Sequence, residues 1–224
     1  MLGKGFVMKK SYKLFIFDFD GTIGDTKECI VASFQEALRK NGLSMVDRRQ
    51  IINYMGLSLK EVFNKLTHNE YSDEVYDKLV RDYRTLYRDF LTEKTFIFPE
   101  VAETLKKLKQ KKVLTSIATS KQTELAILSC EYLHIDKYFD FYIGDDMVTQ
   151  KKPNPEMLLR TLKELGVDVE EAVMIGDSIF DIEMGRAIEM DTIAVTWGVH
   201  TKEMLHKSGP TYIIDSFSEM MRFV

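Results

Sequence analysis

Along most of this chain, short apolar segments alternate with longer amphipathic ones. The apolar segments have the length of buried strands and cover residues 13–17, 113–118, 139–143, 172–175 and 193–195. Helical periodicity lies between them, over residues 100–110, 122–133, 155–165 and 180–188. Strands that alternate with helices predict an α/β fold, in which a Rossmann-like, doubly wound parallel sheet carries helices on both faces.

One interval breaks this alternation. Between residues 27 and 94 no segment has a strand pattern, and helical patterns cover residues 28–40, 47–54, 59–66 and 73–91. This arrangement predicts a helical domain inserted into the α/β domain. We therefore divide the chain into an α/β core of residues 1–24 and 95–224 and a helical insertion of residues 25–94. Residues 1–11 are expected to form a loose leader, because the apolar run before Asp18 is too short for a signal peptide.

The composition excludes several classes of protein. The net charge is −4, so no basic excess indicates binding to nucleic acid or to an anionic membrane. No apolar stretch has the ~18 residues that a membrane span needs. The two cysteines, Cys29 and Cys130, are far apart in sequence and predict buried, reduced thiols in a cytoplasmic protein. We expect a monomer or a weak homodimer.

The first predicted strand runs directly into Asp18-Phe19-Asp20-Gly21-Thr22. In an extended segment residues i and i+2 face the same way, so both carboxylates can point into the crevice beyond the strand's carboxyl end. Two neighbouring carboxylates repel each other, and a hard divalent cation would relieve that repulsion. The pair can also supply a nucleophile and an acid or base. Taken alone, the motif is consistent with a surface turn to the same degree as with a catalytic or metal-binding site.

Two hydroxyl residues, Thr119 and Ser120, directly follow the second predicted strand of the core. Hydroxyl groups at the end of a strand and before a helix can donate to a phosphate oxygen. They can also cap the helix, which is the simpler explanation for these two residues in isolation.

A lysine stands before a proline-bracketed turn, in Lys152-Pro153-Asn154-Pro155. The prolines stiffen the entry into the next helix and fix where Lys152 points. A fixed ammonium group can lie between a carboxylate and a phosphate. The alternative is a solvated lysine beside a helix start, and spacing alone does not choose between Lys152 and Lys151.

The apolar segment at residues 172–175 ends in Gly176-Asp177-Ser178, and Asp181 follows four residues after Asp177. Asp177 would lie at the same crevice and could complete a metal site. A capped helix start explains the same residues, since Ser178 or Asp177 could cap it and Asp181 suits its first turn. The joint order of the motifs favours a site, because a set of unrelated helix caps would not require it.

DFDGT, ATS, KPNP and GDSIFD, in this order, resemble the four motifs of the haloacid dehalogenase-like hydrolase superfamily. The helical insertion resembles that family's small α-helical cap, and the resemblance covers the chain from about Tyr12. GDTKECIVASFQEALRK, MGLSLKEVFNKL and TWGVHTKEML are similar to the phosphoglycolate phosphatase-like branch. The first two segments also resemble bacterial pyrophosphatases of that branch.

The resemblance implies a role for each motif residue. Asp18 is expected to be the nucleophile, and Asp20 the acid and base, with Thr22 helping to position Asp20. Thr119 is expected to bind phosphate, and Lys152 to steady the nucleophile and the phosphate.

The resemblance also implies a Mg²⁺ ion held by the carboxylates of Asp18 and Asp177 and by the backbone carbonyl of Asp20. Oxygen ligands of this kind suit Mg²⁺ rather than zinc. Supporting or phosphate-binding roles are expected for Gly21, Thr22, Ser120 and Asp181.

The function expected from this resemblance is magnesium-dependent hydrolysis of a small phosphorylated metabolite, a phosphoglycolate-like phosphomonoester, through an aspartyl-phosphate.

A pyrophosphatase and a phosphosugar mutase are the alternatives on the same core. The mutase is disfavoured because Ile30, and Leu59 or Lys60, stand where such mutases usually have a histidine and an arginine. A non-catalytic regulatory module is disfavoured because every chemically required position is filled. A receiver domain is shorter and lacks the helical insertion.

Specificity is expected to lie in the cap, because the core handles only the phosphoryl group. Gly56, Ser58 and Lys60 are the candidates for this role. Helical spacing could bring three more candidates to one helix face, although a solvated basic stripe is the favoured interpretation of them: Arg81, Arg84 and Arg88.

Overall fold

The computed structural model describes residues 10–224, so nearly all of the predicted leader lies outside the described residues. Six parallel strands form the central sheet in the order β5-β4-β1-β6-β7-β8. Their bounds are β1 Leu14–Phe17, β4 Leu114–Ala118, β5 Phe141–Ile143, β6 Ala172–Gly176, β7 Asp191–Val195 and β8 Tyr212–Ile214.

Helices cover both faces of this sheet. Those of the core are α5 Val101–Gln110, α6 Thr123–Tyr132, α7 Glu156–Leu165, α8 Ile179–Arg186 and α9 Lys202–Lys207. Strand β1 shows why helices are needed on both faces of the sheet, because all four of its residues are buried although they point alternately to the two faces. Phe15 and Phe17 join one apolar cluster and Leu14 and Ile16 join another, as the alternation of side chains along a strand requires.

The cap consists of four helices between the first core strand and the rest of the core. Their bounds are α1 Lys27–Lys40, α2 Arg48–Asn53, α3 Leu59–Leu66 and α4 Asp73–Lys94. The chain enters the cap through β2, Gly24–Asp25, and leaves it through β3, Phe96–Ile97, and these two strands pair with each other. The cap has an apolar cluster of its own, in which Phe34, Phe63 and Tyr83 pack together. The division at residues 24 and 95 stays a prediction.

The predicted parallel α/β sheet is confirmed, and its five predicted strands correspond to β1, β4, β5, β6 and β7. Elements β8 and α9 and the two short strands β2 and β3 were not predicted. Strands β2 and β3 have only two residues each, which is too short for a periodic pattern to be recognised. Within residues 10–224, no helix combines the length and the apolar character of a membrane span.

Candidate active site

The carboxyl ends of β1, β4 and β6 meet at one edge of the sheet, below the cap. Because β1 pairs with both β4 and β6, the residues after these three strands are brought together. Asp18 follows β1, Thr119 follows β4 and Asp177 follows β6. All three are at most 4% exposed, although each is polar. Such burial requires nearby partners or a ligand.

Lys152 lies at the centre of this site and is 2% exposed. Its Nζ is 2.8 Å from Oδ1 of Asp18 and 2.7 Å from Oδ1 of Asp181. Burial alone would lower the pKa of Lys152, but the two adjacent carboxylates raise it above its ordinary value, so the side chain stays charged. The neighbouring Lys151 instead donates to the backbone carbonyls of Asp145 and Val148. Of the two lysines that the sequence left open, the structure brings Lys152 into the site.

Asp177 is held rigidly from two sides. Oδ1 accepts a hydrogen bond from Thr22 Oγ1 at 2.9 Å, and Oδ2 accepts one from the backbone N–H of Val199 at 2.7 Å. Two glycines make this approach possible. A Cβ at Gly21, where φ is +88°, would lie 2.3 Å from Oδ2 of Asp177, and a Cβ at Gly198 would lie 2.1 Å from the Cβ of Asp177.

Asp181 belongs to the first turn of α8 and supports Lys152. Its Oδ2 accepts hydrogen bonds from the backbone N–H and the hydroxyl of Ser178, at 3.1 and 2.7 Å. Ser178 therefore caps α8 in a reciprocal arrangement with Asp181. The sequence offered a helix start and a functional site as alternatives for this motif, and the structure contains both. Ser178 and Asp181 cap the start of α8, and Asp181 also holds Lys152.

Asp20 lies at the opening of the site, with its side chain 19% exposed. Its Oδ1 accepts hydrogen bonds from Thr26 Oγ1 and from Lys121 Nζ, both at 2.7 Å. The expectation that Thr22 positions Asp20 is wrong, because Thr22 donates to Asp177 and Thr26 takes its place. Lys121 also lies over the ring of Tyr87, with Nζ 3.9 Å from the ring centroid.

Sequence reasoning missed Lys121 and Thr26 as parts of the site. Lys121 stands directly after the ATS motif, but its side chain comes near Asp20 only because β4 lies beside β1. Thr26 is six residues after Asp20, and the short turn through β2 brings its hydroxyl back to that carboxylate.

The remaining candidates of the sequence have structural partners. Ser120 donates to the carbonyl of Gly56 in the cap at 2.7 Å, and neither Thr119 nor Ser120 caps α6, which begins after Gln122. Ser58 caps α3 together with Glu61.

Lys60, the third cap candidate, lies outside the cavity. It forms ion pairs with Asp73 and Asp77 on the cap surface.

The predicted basic stripe on α4 is wrong in one respect. Arg84 is 3.6 Å from Asp145 and Arg88 is 2.8 Å from Glu124, so two of the three arginines face carboxylates of the core. The pairing could not be read from the helix alone, because both partners are distant in sequence and lie outside the cap helices.

The residues fit a divalent metal ion. One carboxylate oxygen each from Asp18, Asp177 and Asp181 lies within 4.8 Å of the others, and all three residues are buried. Together with Asp20, the site holds four carboxylates against the two ammonium groups of Lys121 and Lys152, an excess of negative charge equal to that of a divalent cation. The ligand atoms are all oxygens, which suits Mg²⁺.

The excess of negative charge also contributes to raised pKa values of two carboxyl groups in the site. Burial raises the pKa of Asp18 from its ordinary value to about 7, helped by the charges of Asp181 and Asp20 and opposed by Lys152. Burial and the charges of Asp18 and Asp181 raise the pKa of Asp177 to about 8. A metal ion that binds these carboxylates would therefore compete with protons.

Comparison with known proteins identifies the family. The model of the haloacid dehalogenase-like hydrolases matches residues 15–195. The chain belongs to this family. This confirms the superfamily and the enzyme class that the four motifs indicated.

Individual relatives cover nearly the whole chain. A probable phosphatase, IndB, of Dickeya dadantii is 37% identical over 93% of this chain and 91% of its own length. Pyrophosphatase PpaX of Bacillus pumilus is 29% identical over 93% of this chain and 94% of its own length. The crystal structure of a predicted phosphoglycolate phosphatase of Haemophilus somnus superposes with a TM-score of 0.86 at 21% identity, over 94% and 97% of the two chains. At that identity it supports the fold alone.

Proposed function

We propose that this enzyme is a magnesium-dependent phosphatase that hydrolyses a small phosphomonoester through an aspartyl-phosphate on Asp18. The observation that carries the proposal is the contact of Asp18 with Lys152, at the base of a cavity that Thr119 and Asp20 also line. A carboxylate nucleophile and a phosphate dianion repel each other. Lys152 reduces that repulsion from a fixed position.

The chemistry follows from what each side chain can reach. Asp18 attacks phosphorus, and the bond from phosphorus to the leaving oxygen breaks while Asp20 donates a proton to that oxygen. Asp20 then accepts a proton from the water that hydrolyses the aspartyl-phosphate, so two easier steps replace one difficult step. We propose that the Thr119 hydroxyl donates to the phosphoryl group and that Lys121 and Thr26, which both donate to Asp20, orient that carboxyl group.

Asp18, Asp177 and the backbone carbonyl of Asp20 are the ligands we propose for Mg²⁺, with Asp181 and Gly21 in support. When bound, the ion would supply positive charge against the phosphoryl oxygens. Thr22 keeps Asp177 in place, and Ser120 contributes to the contact between core and cap. The cytoplasm is the proposed location, on the evidence of two separate, buried free cysteines, Cys29 and Cys130.

A pyrophosphatase is the second candidate, because the relative from Bacillus pumilus carries that name. The core would treat the terminal phosphoryl group of pyrophosphate in the same way as that of an ester. The two candidates differ only in the leaving group, which the cap must accommodate.

Phosphate release from a panel of compounds, with magnesium and then with EDTA, tests the proposal. The panel contains phosphoglycolate, pyrophosphate, sugar phosphates, alkyl phosphates and p-nitrophenyl phosphate. We expect release that requires magnesium, and a loss of at least about 10⁴-fold in Asp18→Asn. Asp168→Asn is the matched control, since Asp168 is exposed and lies outside the site. Undiminished release by folded Asp18→Asn would exclude the mechanism.

A further inference from the structure

The cavity between core and cap has one charged side and one apolar side. The space that the centres of water molecules can occupy in it is about 50 Å³, which is room for roughly four water molecules or a leaving group of a few heavy atoms. The core lines it with Asp18, Asp20, Thr119 and Lys121 among others. No side chain that the cap contributes is charged, and only the hydroxyls of Tyr83 and Tyr87 are polar; Ile30, Phe34, Met55 and Leu59 are among the apolar ones.

No lysine or arginine of the cap is among the residues that line the cavity. Arg84 and Arg88 face Asp145 and Glu124 of the core, and neither arginine lines the cavity. Among the residues that line the cavity, the one cation is Lys121. It is bonded to Asp20 and covered by the ring of Tyr87.

A second anionic group on the substrate would therefore meet no free positive charge in the cavity. A carboxylate or phosphate placed against these side chains would lose its water and gain no cation in exchange, only the neutral hydroxyls of Tyr83 and Tyr87, which disfavours binding. An uncharged alkyl or small aromatic group would instead bury apolar surface against them, which favours binding.

We propose that the substrate is a phosphomonoester whose leaving group is small, uncharged and mainly apolar. The proposal rests on the phosphatase function given above and deepens it. In the reaction, the bond from phosphorus to the ester oxygen breaks, Asp20 protonates that oxygen, and water completes the hydrolysis. The products are inorganic phosphate and a neutral alcohol or phenol. Phosphoglycolate and pyrophosphate, whose leaving groups are anionic, should both be poor substrates.

The test compares isobutyl phosphate with phosphoglycolate and pyrophosphate under the same magnesium concentration. We expect kcat/KM for isobutyl phosphate to exceed that for either anionic compound by at least about tenfold. An equal or higher kcat/KM for phosphoglycolate or pyrophosphate would overturn the proposal while leaving the phosphatase function intact.

Binding measurements separate this proposal from the function on which it rests. Isobutylphosphonate and phosphonoacetate cannot be hydrolysed, so their dissociation constants can be measured by calorimetry whether or not the enzyme turns over. We expect isobutylphosphonate to bind at least about tenfold more tightly. Tighter binding of phosphonoacetate would overturn the proposal. A lack of phosphate release from every compound would count against the proposed function alone.

Substitution of Met55 tests the apolar side directly. Met55 lines the cavity and is 6% exposed, and lysine is similar in length and flexibility. In Met55→Lys the preference between isobutylphosphonate and phosphonoacetate should shift toward the anion by at least about tenfold, whereas Met55→Leu should keep the original preference. An unshifted preference in folded Met55→Lys would contradict the proposal. If that variant does not fold, the wild-type binding ratio still decides the matter.

Discussion

On the core side of the cavity each charged side chain has a fixed partner, whereas the cap side carries no charge in the cavity at all. Lys152 bridges Asp18 and Asp181, and Lys121 is bonded to Asp20. On the opposite side, Phe34 and Tyr83 pack against each other with ring centroids 4.6 Å apart. Burial of the core side is compensated by ion pairs, whereas burial of the cap side is favoured by apolar packing.

The difference separates the two tasks of the proposed enzyme. The core builds an electrostatic environment for a phosphoryl group, which is the same in every phosphomonoester. The cap offers only shape and apolar surface, so it can select among leaving groups. Changes in the core should therefore lower kcat, while changes in the cap should act mainly on KM.

The largest difference is expected between two adjacent lysines. Lys152→Met removes the ammonium group between Asp18 and Asp181 and should lower kcat by at least about 10³-fold. Lys151→Met removes a lysine that contacts only backbone carbonyls and should change kcat by less than about tenfold. Steady-state kinetics on both variants, after a check of folding by circular dichroism, measures this. Similar losses in the two variants would contradict the central role of Lys152.

Two glycines with positive φ offer the next comparison. Gly21→Ala places a Cβ against the Asp177 carboxylate and should lower kcat about 10²-fold and weaken the response to magnesium. Gly42→Ala has a similar backbone strain in the cap, with φ at +69°, but nothing lies within 4 Å of its Cβ. It should affect stability alone. Activity as a function of magnesium concentration, with thermal unfolding as the control, distinguishes the two effects.

Stability of the metal-free protein should fall as pH rises. The folded protein holds protons on Asp18 and Asp177 that the unfolded chain releases near pH 4, because burial raises both pKa values, to about 7 and about 8. Stability is then lost between about pH 4 and about pH 8, and magnesium should offset the loss at the upper end. We expect the difference in Tm between magnesium and EDTA to be larger at pH 8 than at pH 6. A difference that shrinks with rising pH would contradict this description of the site.

A single methyl group tests the cap. Ile30→Val removes one methyl group from the cavity lining and should raise KM for an alkyl phosphate about threefold, with little change in kcat. Ile188→Val makes the same change in the core, away from the cavity, and should leave both constants unchanged. A fall in kcat without a rise in KM for Ile30→Val would show that the two regions do not divide the tasks in this way.

The smallest effects are expected at the contacts between core and cap. Asp145, the partner of Arg84, has a side chain only 11% exposed, whereas Glu124, the partner of Arg88, is 69% exposed. Arg84→Leu leaves a buried carboxylate without its partner and should lower Tm by about 2–4 °C. Arg88→Leu should cause no measurable change, as is usual for exposed ion pairs. Equal effects on Tm would show that burial of the partner does not matter here.

Most of the core could be predicted from the sequence because its signals are local. A buried parallel strand is a short apolar run, and Asp18, Thr119 and Asp177 each follow such a run directly. Once the strands are recognised, parallel topology brings their carboxyl ends to one edge. The order of the motifs then identifies the site without knowledge of any distance.

The cap and the partners of the core residues could not be predicted in the same way. Whether Lys60 faces the cavity or Asp73 depends on how α3 packs against α4, and the sequence pattern of either helix is consistent with both. The partners of Arg84 and Arg88, and the contact of Lys121 with Asp20, join residues that are distant in sequence. Contacts of this kind become visible only in three dimensions.

Trapping the covalent intermediate tests the central claim most directly. Borohydride reduces an acyl phosphate to an alcohol, so enzyme quenched during turnover with magnesium and substrate should carry homoserine at position 18. Peptide mass spectrometry locates the change, and Asp18→Asn and enzyme treated with EDTA should lack it. Homoserine at position 18, and at no other aspartate, is the result that our account predicts. Rapid phosphate release with Asp18 unmodified, or modification at another aspartate, would contradict it.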